Sequence, residues 1–194
     1  MITGSTFKEN ECKEGHAIYL AECTFAIKIM KCTFLDCGKN DYVISVKTRP
    51  QSVLIENNTI HFTILEQTAA PLFIYTENYV LKENIFQNIK NTVVRSYGQS
   101  KDDKGFQIID NTFSKCSGDS VIDVENLIRF TPVFKGNTFI DITVLSQLMS
   151  LKLRNDIYDV TFDNNTFQNF AINSHFGGIG LEVDHESEVI SISL

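Results

Sequence analysis

The sequence predicts an all-β chain wound as a right-handed parallel β-helix, a β-solenoid of about seven coils of 26–27 residues, and three observations carry that prediction. A short tag recurs as Ser5-Thr6-Phe7, Cys32-Thr33-Phe34, Asn58-Thr59-Ile60, Asn84-Ile85-Phe86, Asn111-Thr112-Phe113, Asn137-Thr138-Phe139 and Asn165-Thr166-Phe167. The steps between tags are 27, 26, 26, 27, 26 and 28 residues, and a fixed period of this size marks a stacked repeat architecture. Between the tags, apolar and polar residues alternate with period two, and no stretch of roughly 10 to 12 residues carries a helical stripe.

Taken in order, each unit offers a strand before its tag and a second strand in its middle. The stretches before the tags are Val53-Leu-Ile55, Tyr79-Val-Leu81, Phe106-Gln-Ile108 and Val160-Thr-Phe162, and Val189–Leu194 repeats the pattern at the end. The mid-unit stretches are Ala17–Leu20, Val43–Val46, Leu72–Tyr75, Val93–Tyr97, Val121–Val124, Met149–Leu153 and Gly180–Val183. Their β-branched and aromatic residues in alternation read as half-buried strands, joined by polar turns such as Gly98–Gly105. An extra Cys23-Thr24-Phe25 breaks the phase in the first unit. A leucine-rich-repeat binding solenoid is the competing architecture, since Val53, Ile55, Asn58 and Ile60 fit its spacing. Its consensus wants an apolar residue three positions further upstream, where Pro50, Thr76, Asp103 and Arg129 stand and only Ile157 conforms. A mid-unit strand also occupies the place of its helix.

Coiling fixes two expectations about packing. Equivalent residues stack, so Phe34, Ile60, Phe86, Phe113, Phe139 and Phe167 form one interior column. With strands about 4.8 Å apart, seven coils give a rod roughly 33 Å long. At the bend two residues earlier, Asn58, Asn84, Asn111, Asn137 and Asn165 form a structural asparagine ladder, each carboxamide bonding the turn and the next amide in the stack. Cys32 takes the Asn position in the coil before them. The chain reads as a single β-helix domain over 1–194. No caps are visible at either end, which implies a fragment of a longer repeat protein whose further chain covers the open edges.

Composition narrows function. The chain has 194 residues and a formal net charge of −7, which argues against a nucleic-acid partner because phosphate binding needs a basic stripe. There is no stretch approaching the roughly 18 to 20 apolar residues of a membrane span, and Met1–Phe7 shows no signal-peptide character.

The first unit reads Phe7-Lys-Glu-Asn10, then Gly15-His-Ala-Ile-Tyr19, then Cys23-Thr-Phe25. This resembles the FxxN and GGAI(Y) motifs of polymorphic outer-membrane and surface proteins, with His16 where Gly is usual. Gly177-Gly-Ile-Gly180 is a second partial match. The resemblance implies a pectate-lyase-like β-helix used for surface display or adhesion, with an extracellular or cell-surface location. It supplies no catalytic residues. The expected function is therefore a non-catalytic surface or secreted β-solenoid, a stalk or adhesin whose partners are glycans or host and cell-surface proteins, with no cofactor.

A carbohydrate-active enzyme (polysaccharide lyase, hydrolase or uronate epimerase) on the same fold is the alternative. The polygalacturonase set needs an Asn-Thr-Asp tag and later a Gly-His-Gly; here the tags are Asn-Thr-Phe or relatives, and Asp102-Asp103 follow Gly15-His16 in the wrong order. The remaining acidic cluster is Asp184-His185-Glu186 with Asp156 one coil earlier, similar to an epimerase Asp-Pro-His-Glu without its Pro. Asp156, Asp159 and Asp184 are a weak calcium candidate, since hard cations take oxygen ligands; a solvated polar turn is the structural alternative, and no other metal site is read. Among the cysteines Cys12, Cys23, Cys32, Cys37 and Cys116, a Cys12–Cys37 disulfide competes with buried thiols stacked in columns. Asn57 and Asn164 head glycosylation sequons beside the ladder.

Overall fold

The computed structural model describes residues 1–9, 16–38, 42–63, 70–76, 78–97, 105–127, 132–153, 158–173, 178–183 and 190–193. The fold is a parallel β-solenoid in which successive coils add strands to three parallel sheets, the second of which also takes the short strand Ser117–Gly118, paired with Thr138–Val144. The first sheet collects the strands before the tags: Ile2–Thr3, Ile27–Met30, Val53–Glu56, Tyr79–Lys82, Gln107–Ile109, Val133–Lys135, Tyr158–Asp163 and Ile190–Ser193. The second is built on the tags themselves, from Thr6–Lys8 through Thr33–Leu35, Thr59–His61, Ile85–Gln87 and Thr112–Ser114 to Thr138–Val144 and Thr166–Ile172. The third stacks the seven mid-unit strands, Ile18–Leu20, Tyr42–Val46, Ala70–Ile74, Val94–Tyr97, Ile122–Leu127, Met149–Leu153 and Ile179–Val183.

Three strands per coil is one more than alternation alone indicates. The tag strand of most coils has only three residues, too short to display a period, yet its pairing is in strict register: Phe34 opposite Ile60, Ile60 opposite Phe86, Phe86 opposite Phe113 and Phe113 opposite Phe139. The leucine-rich alternative falls on the same observation, because the mid-unit segment is strand rather than helix.

Two columns of left-handed residues bracket the tag strand. Gly4, Lys31, Asn57, Glu83, Asp110, Gly136 and Asn164 precede it with φ between 53° and 65°, and Glu9, Asp36, Asn88, Lys115, Asp141 and Asn169 follow it with φ between 50° and 57°. Wherever both are present, the two columns lie five residues apart. The first column turns the chain from the first sheet into the second; in the second column Asp141 and Asn169 bend strands that continue within the second sheet, Thr138–Val144 and Thr166–Ile172. Seven of the eleven non-glycine residues in this conformation are Asn or Asp, the types that tolerate it best. The third coil departs, with Phe62 buried where the second left-handed residue would stand. Gly136 is the position where the requirement is most severe. A Cβ there would fall onto Asp110 Oδ1 in the coil below, on a backbone at φ +65°. Gly136→Ala is expected to cost about 1 to 3 kcal/mol, mostly backbone strain because the exposed Asp110 side chain can swing away; an unchanged urea midpoint would refute this.

The lumen is filled by columns of like side chains. The second sheet contributes the phenylalanines, stacked at 5.1 Å and 10° for Phe86 on Phe113 and 4.8 Å and 4° for Phe113 on Phe139. From the first sheet come Ile29, Ile55, Leu81, Ile108 and Phe134, and from the third Ile44, Leu72, Val94, Ile122 and Met149, all fully buried. One polar pair crosses the interior, Tyr79 Oη to Ser96 Oγ at 3.0 Å, and satisfies both hydroxyls.

Two aromatic residues depart from expectation. Phe167 does continue the column, stacked on Phe139 at 5.2 Å, but it is 46% exposed because a ring covers it on one side only. Phe25 of the additional tag is 82% exposed and joins no strand. The chain has just left the third sheet at Leu20 and enters the first at Ile27, so Phe25 falls on an outer corner.

Candidate functional site

The asparagines of the tags lie at the corner between the first and second sheets and are used internally. Oδ1 of each accepts the backbone N–H of the residue one coil earlier: Cys32 to Asn58 at 2.9 Å, then Asn58 to Asn84, Asn84 to Asn111, Asn111 to Asn137 and Asn137 to Asn165, each at 3.0 Å. The same oxygens accept Nδ2 of the preceding asparagine at 2.9–3.1 Å. Each Nδ2 also donates to a backbone carbonyl of the preceding coil, Ile29, Ile55, Leu81, Ile108 and Phe134 in turn. Asn58, Asn84, Asn111 and Asn137 are buried and present no side chain to a ligand, while Asn165 at the end of the row is half-exposed. Cys32 keeps only a fraction of the role, its thiol donating to Met30 O at 3.3 Å. The sequon residues Asn57 and Asn164 occupy the left-handed position just before the ladder and are exposed.

Cys32, Cys37 and Cys116 are buried, and Cys23, Cys32 and Cys116 are free thiols. Cys12 lies outside the described residues, and with it one half of the Cys12–Cys37 pairing. Burial pushes the Cys116 thiol up from its ordinary 9.0 to about 12 and raises the Tyr79 phenol above its usual value, in both cases because the charged form would lose its hydration. In the unfolded chain the thiol ionises above about pH 9, while the folded one holds its proton until about pH 12. Stability from this group is therefore whole below pH 9 and is lost as pH climbs through that window. Cys116→Val is expected to flatten the alkaline fall in urea midpoint; a slope identical to the parent's would refute this.

The acidic cluster expected to carry catalysis or calcium falls almost wholly outside the described residues. Asp156, Asp184, His185 and Glu186 lie outside the described residues. Asp159 sits on the first-sheet strand Tyr158–Asp163, paired in register with Ser191. Among the described residues no group of three His, Cys, Asp or Glu side chains is placed to hold a metal ion, and no helix is long and apolar enough to cross a membrane. A cleft beside the first coil is walled by Met1, Ile2, Leu20, Phe25 and Ile29, with Glu22 and Lys28 at its margin.

The chemistry that sequence reading passed over lies on the outer face of the third sheet. Its strands alternate core residues with an outward column that reads, in register, Tyr19, Ser45, Phe73, Arg95, Asp123 and Ser150. Aromatic rings cluster there: His16 on Tyr19 at 5.0 Å, Tyr42 against Phe73 at 4.9 Å and a 41° tilt, and Tyr75 on Tyr97 at 5.5 Å and 5°. Cations lie over them, Lys47 Nζ 5.5 Å from the Tyr19 centroid and Arg49 5.6 Å from that of Tyr75. Arg95 donates to Tyr42 Oη at 3.5 Å and pairs with Asp123 at 3.7 Å. Burial, with help from Glu125, raises the Asp123 pKa despite Arg95. The signal was available: Tyr19, Phe73, Tyr75, Arg95 and Tyr97 all hold the non-core parity of their strands.

No protein-family model, curated protein or solved structure matches the chain.

Proposed function

We propose that this β-solenoid is a non-catalytic rod, a stalk or adhesive module of a secreted or surface-displayed protein. The observation that carries the reading is the sustained register: one ladder of five asparagines and three parallel sheets run through successive coils, with a shift between Val124 and Leu127 in the third sheet. Stacking like on like makes each coil a template for the next, and the product is stiff along its axis with a periodic exterior. Such an exterior suits display and repeated weak contacts with glycans or proteins. The likeness of Phe7–Asn10 and Gly15–Tyr19 to the motifs of polymorphic outer-membrane proteins supports the same reading.

The test pairs a binding assay with a turnover assay. The full chain is expected to be retained on surfaces coated with glycans or cell-surface proteins, and to release no new reducing or unsaturated ends from polygalacturonate or alginate. Turnover that Asp184→Ala abolishes would overturn the reading in favour of the enzyme.

A further inference from the structure

We propose that Asn57 and Asn164 carry N-linked oligosaccharides on the corner between the first and second sheets; this rests on the secreted or surface-displayed reading and assigns that corner a covalent modification. Each heads an Asn-x-Thr triplet, Asn57-Asn58-Thr59 and Asn164-Asn165-Thr166, the pattern that glycosyl transfer to asparagine requires. The triplets grow out of the fold. Their middle residue is a ladder asparagine, and their threonine opens a strand of the second sheet. A triplet is therefore complete in these two coils because the left-handed position before the ladder is itself Asn.

A left-handed backbone favours Asn on its own account, so the side chains have to separate the two explanations. Asn88 and Asn169 take the same backbone conformation on the other side of the tag strand, at φ 57° and 52°. Their carboxamides work within the rod: Asn88 Nδ2 donates to Phe62 O at 3.1 Å and Asn169 Nδ2 to Asp141 Oδ1 at 2.9 Å. Neither has Ser or Thr two residues on. Asn57 and Asn164 reverse both features. They are exposed, neither carboxamide is hydrogen-bonded among the described residues, and both have Thr two residues on. The left-handed asparagines that the fold employs lack the triplet, and those it leaves to solvent have it.

Attachment joins the side-chain nitrogen to C1 of an oligosaccharide. The bond from C1 to the lipid-pyrophosphate carrier breaks, the nitrogen loses one proton and the pyrophosphate departs with the electron pair. A nitrogen so substituted needs open space beyond it. Asn58 and Asn165 stand next in the chain yet have no room for a sugar, because their Nδ2 groups are committed to Ile29 O and Asn84 Oδ1 and to Phe134 O respectively. At Asn57 the neighbours in the left-handed column are Lys31 and Glu83, both exposed. At Asn164 the neighbour one coil back is Gly136, which has no side chain to crowd a glycan. The two sites are four coils apart on one corner, roughly 19 Å at about 4.8 Å per rung, so both can be filled at once.

Peptide mapping of the chain purified from the cells that make it tests this. Peptide N-glycosidase acting in water labelled with heavy oxygen converts each glycosylated Asn into labelled Asp. Relative to an enzyme-free control, label is expected at positions 57 and 164 and at no other Asn. Unlabelled Asn at either position, on a chain recovered from the medium or the cell surface, overturns the proposal and leaves the stalk-or-adhesin reading standing; on a chain recovered from inside the cell it removes both. A second arm probes the corner itself, with the full chain secreted from a eukaryotic host behind a cleavable leader. Asn57→Gln and Asn164→Gln should each remove one glycan. Glu83→Asn with Ile85→Thr, which builds a third triplet in the same column, should add one. Enzymatic release under native conditions should be complete and leave the melting temperature unchanged. A bare triplet at 83, or glycans that come off only after unfolding, would overturn the placement on an open corner.

Discussion

Asn111→Ala is expected to lower the unfolding free energy by about 2 to 4 kcal/mol, the largest loss from any single polar substitution in this chain. Asn111 stands mid-ladder and is buried. Its Oδ1 accepts Asn84 N and Asn84 Nδ2, both at 3.0 Å, and its Nδ2 donates to Leu81 O at 2.9 Å, to Ile109 O at 2.9 Å and to Asn137 Oδ1 at 3.1 Å. Truncation leaves Asn84 N without a partner and takes one of two acceptors from Asn84 Nδ2, which keeps Ile55 O at 2.8 Å. It also removes a donor from Leu81 O and from Ile109 O, which keeps Glu83 N at 3.1 Å. A fully orphaned group costs about 1 to 3 kcal/mol and a weakened one less. Water admitted into the new space recovers part of this. Asn165→Ala at the half-exposed end of the row takes the acceptor from Asn137 N, one of two acceptors from Asn137 Nδ2, which keeps Ile108 O at 2.7 Å, and a donor from Phe134 O. Water entering from the open side of residue 165 can replace the lost carboxamide, so the expected cost is roughly 1 to 2 kcal/mol. Asn111→Asp should be no milder than Ala: a carboxylate can receive from Asn84 but faces Leu81 O, Ile109 O and Asn137 Oδ1 with no donor. Urea denaturation of the three variants gives the ranking. A loss below 1 kcal/mol for Asn111→Ala, or equal losses at 111 and 165, would mean the ladder does not hold the corner together.

Much of this was legible because the architecture is one-dimensional. When each coil is the template for the next, a residue's position modulo the period determines its surroundings, and the period is written openly in the Thr-Phe tags. The ladder and the first and third sheets follow from that alone. The second sheet was harder, since a three-residue strand such as Thr59–His61 cannot show alternation; only its flanking left-handed residues define it. Those residues were hidden for a different reason. Lys31, Glu83 and Lys115 are not types that prefer positive φ, and they adopt it because closing the coil at the corners demands it. Phe25 misled because a tag is defined by what precedes it: a strand of the first sheet and a left-handed residue, neither of which stands before Cys23. The outward aromatic face was overlooked because alternation served only to find the core, and the residues of the opposite parity were assigned no role. Yet that parity is where a solenoid keeps whatever chemistry it offers. The acidic group around Asp184 lies outside the described residues.

Phe113→Ala should cost about 3 to 5 kcal/mol, comparable with the loss of the mid-ladder asparagine but for an apolar reason. The ring is fully buried, packed in parallel between Phe86 at 5.1 Å and Phe139 at 4.8 Å. In a globular core, neighbours relax into part of a new cavity. Here the neighbours are fixed by the ladders of the second sheet, since Phe86 and Phe139 belong to adjacent strands whose separation is set by backbone hydrogen bonds. The column therefore keeps its gap, and both flanking rings lose a face of contact. For a domain of this length, a loss near 4 kcal/mol corresponds to a fall of about 8 to 16 °C in melting temperature. Phe113→Leu refills most of the volume and should cost roughly 1 to 1.5 kcal/mol. Phe167→Ala removes a ring that stacks on one side only and is 46% exposed, so its cost should be about 1 to 2 kcal/mol. Because each coil is stabilised only by its neighbours, Phe113→Ala also weakens the coupling between the two halves of the rod, and its thermal transition should broaden relative to that of Phe167→Ala. Equal melting temperatures for Phe113→Ala and Phe167→Ala would mean that the stacked rings contribute through their separate burial and not through the continuity of the column.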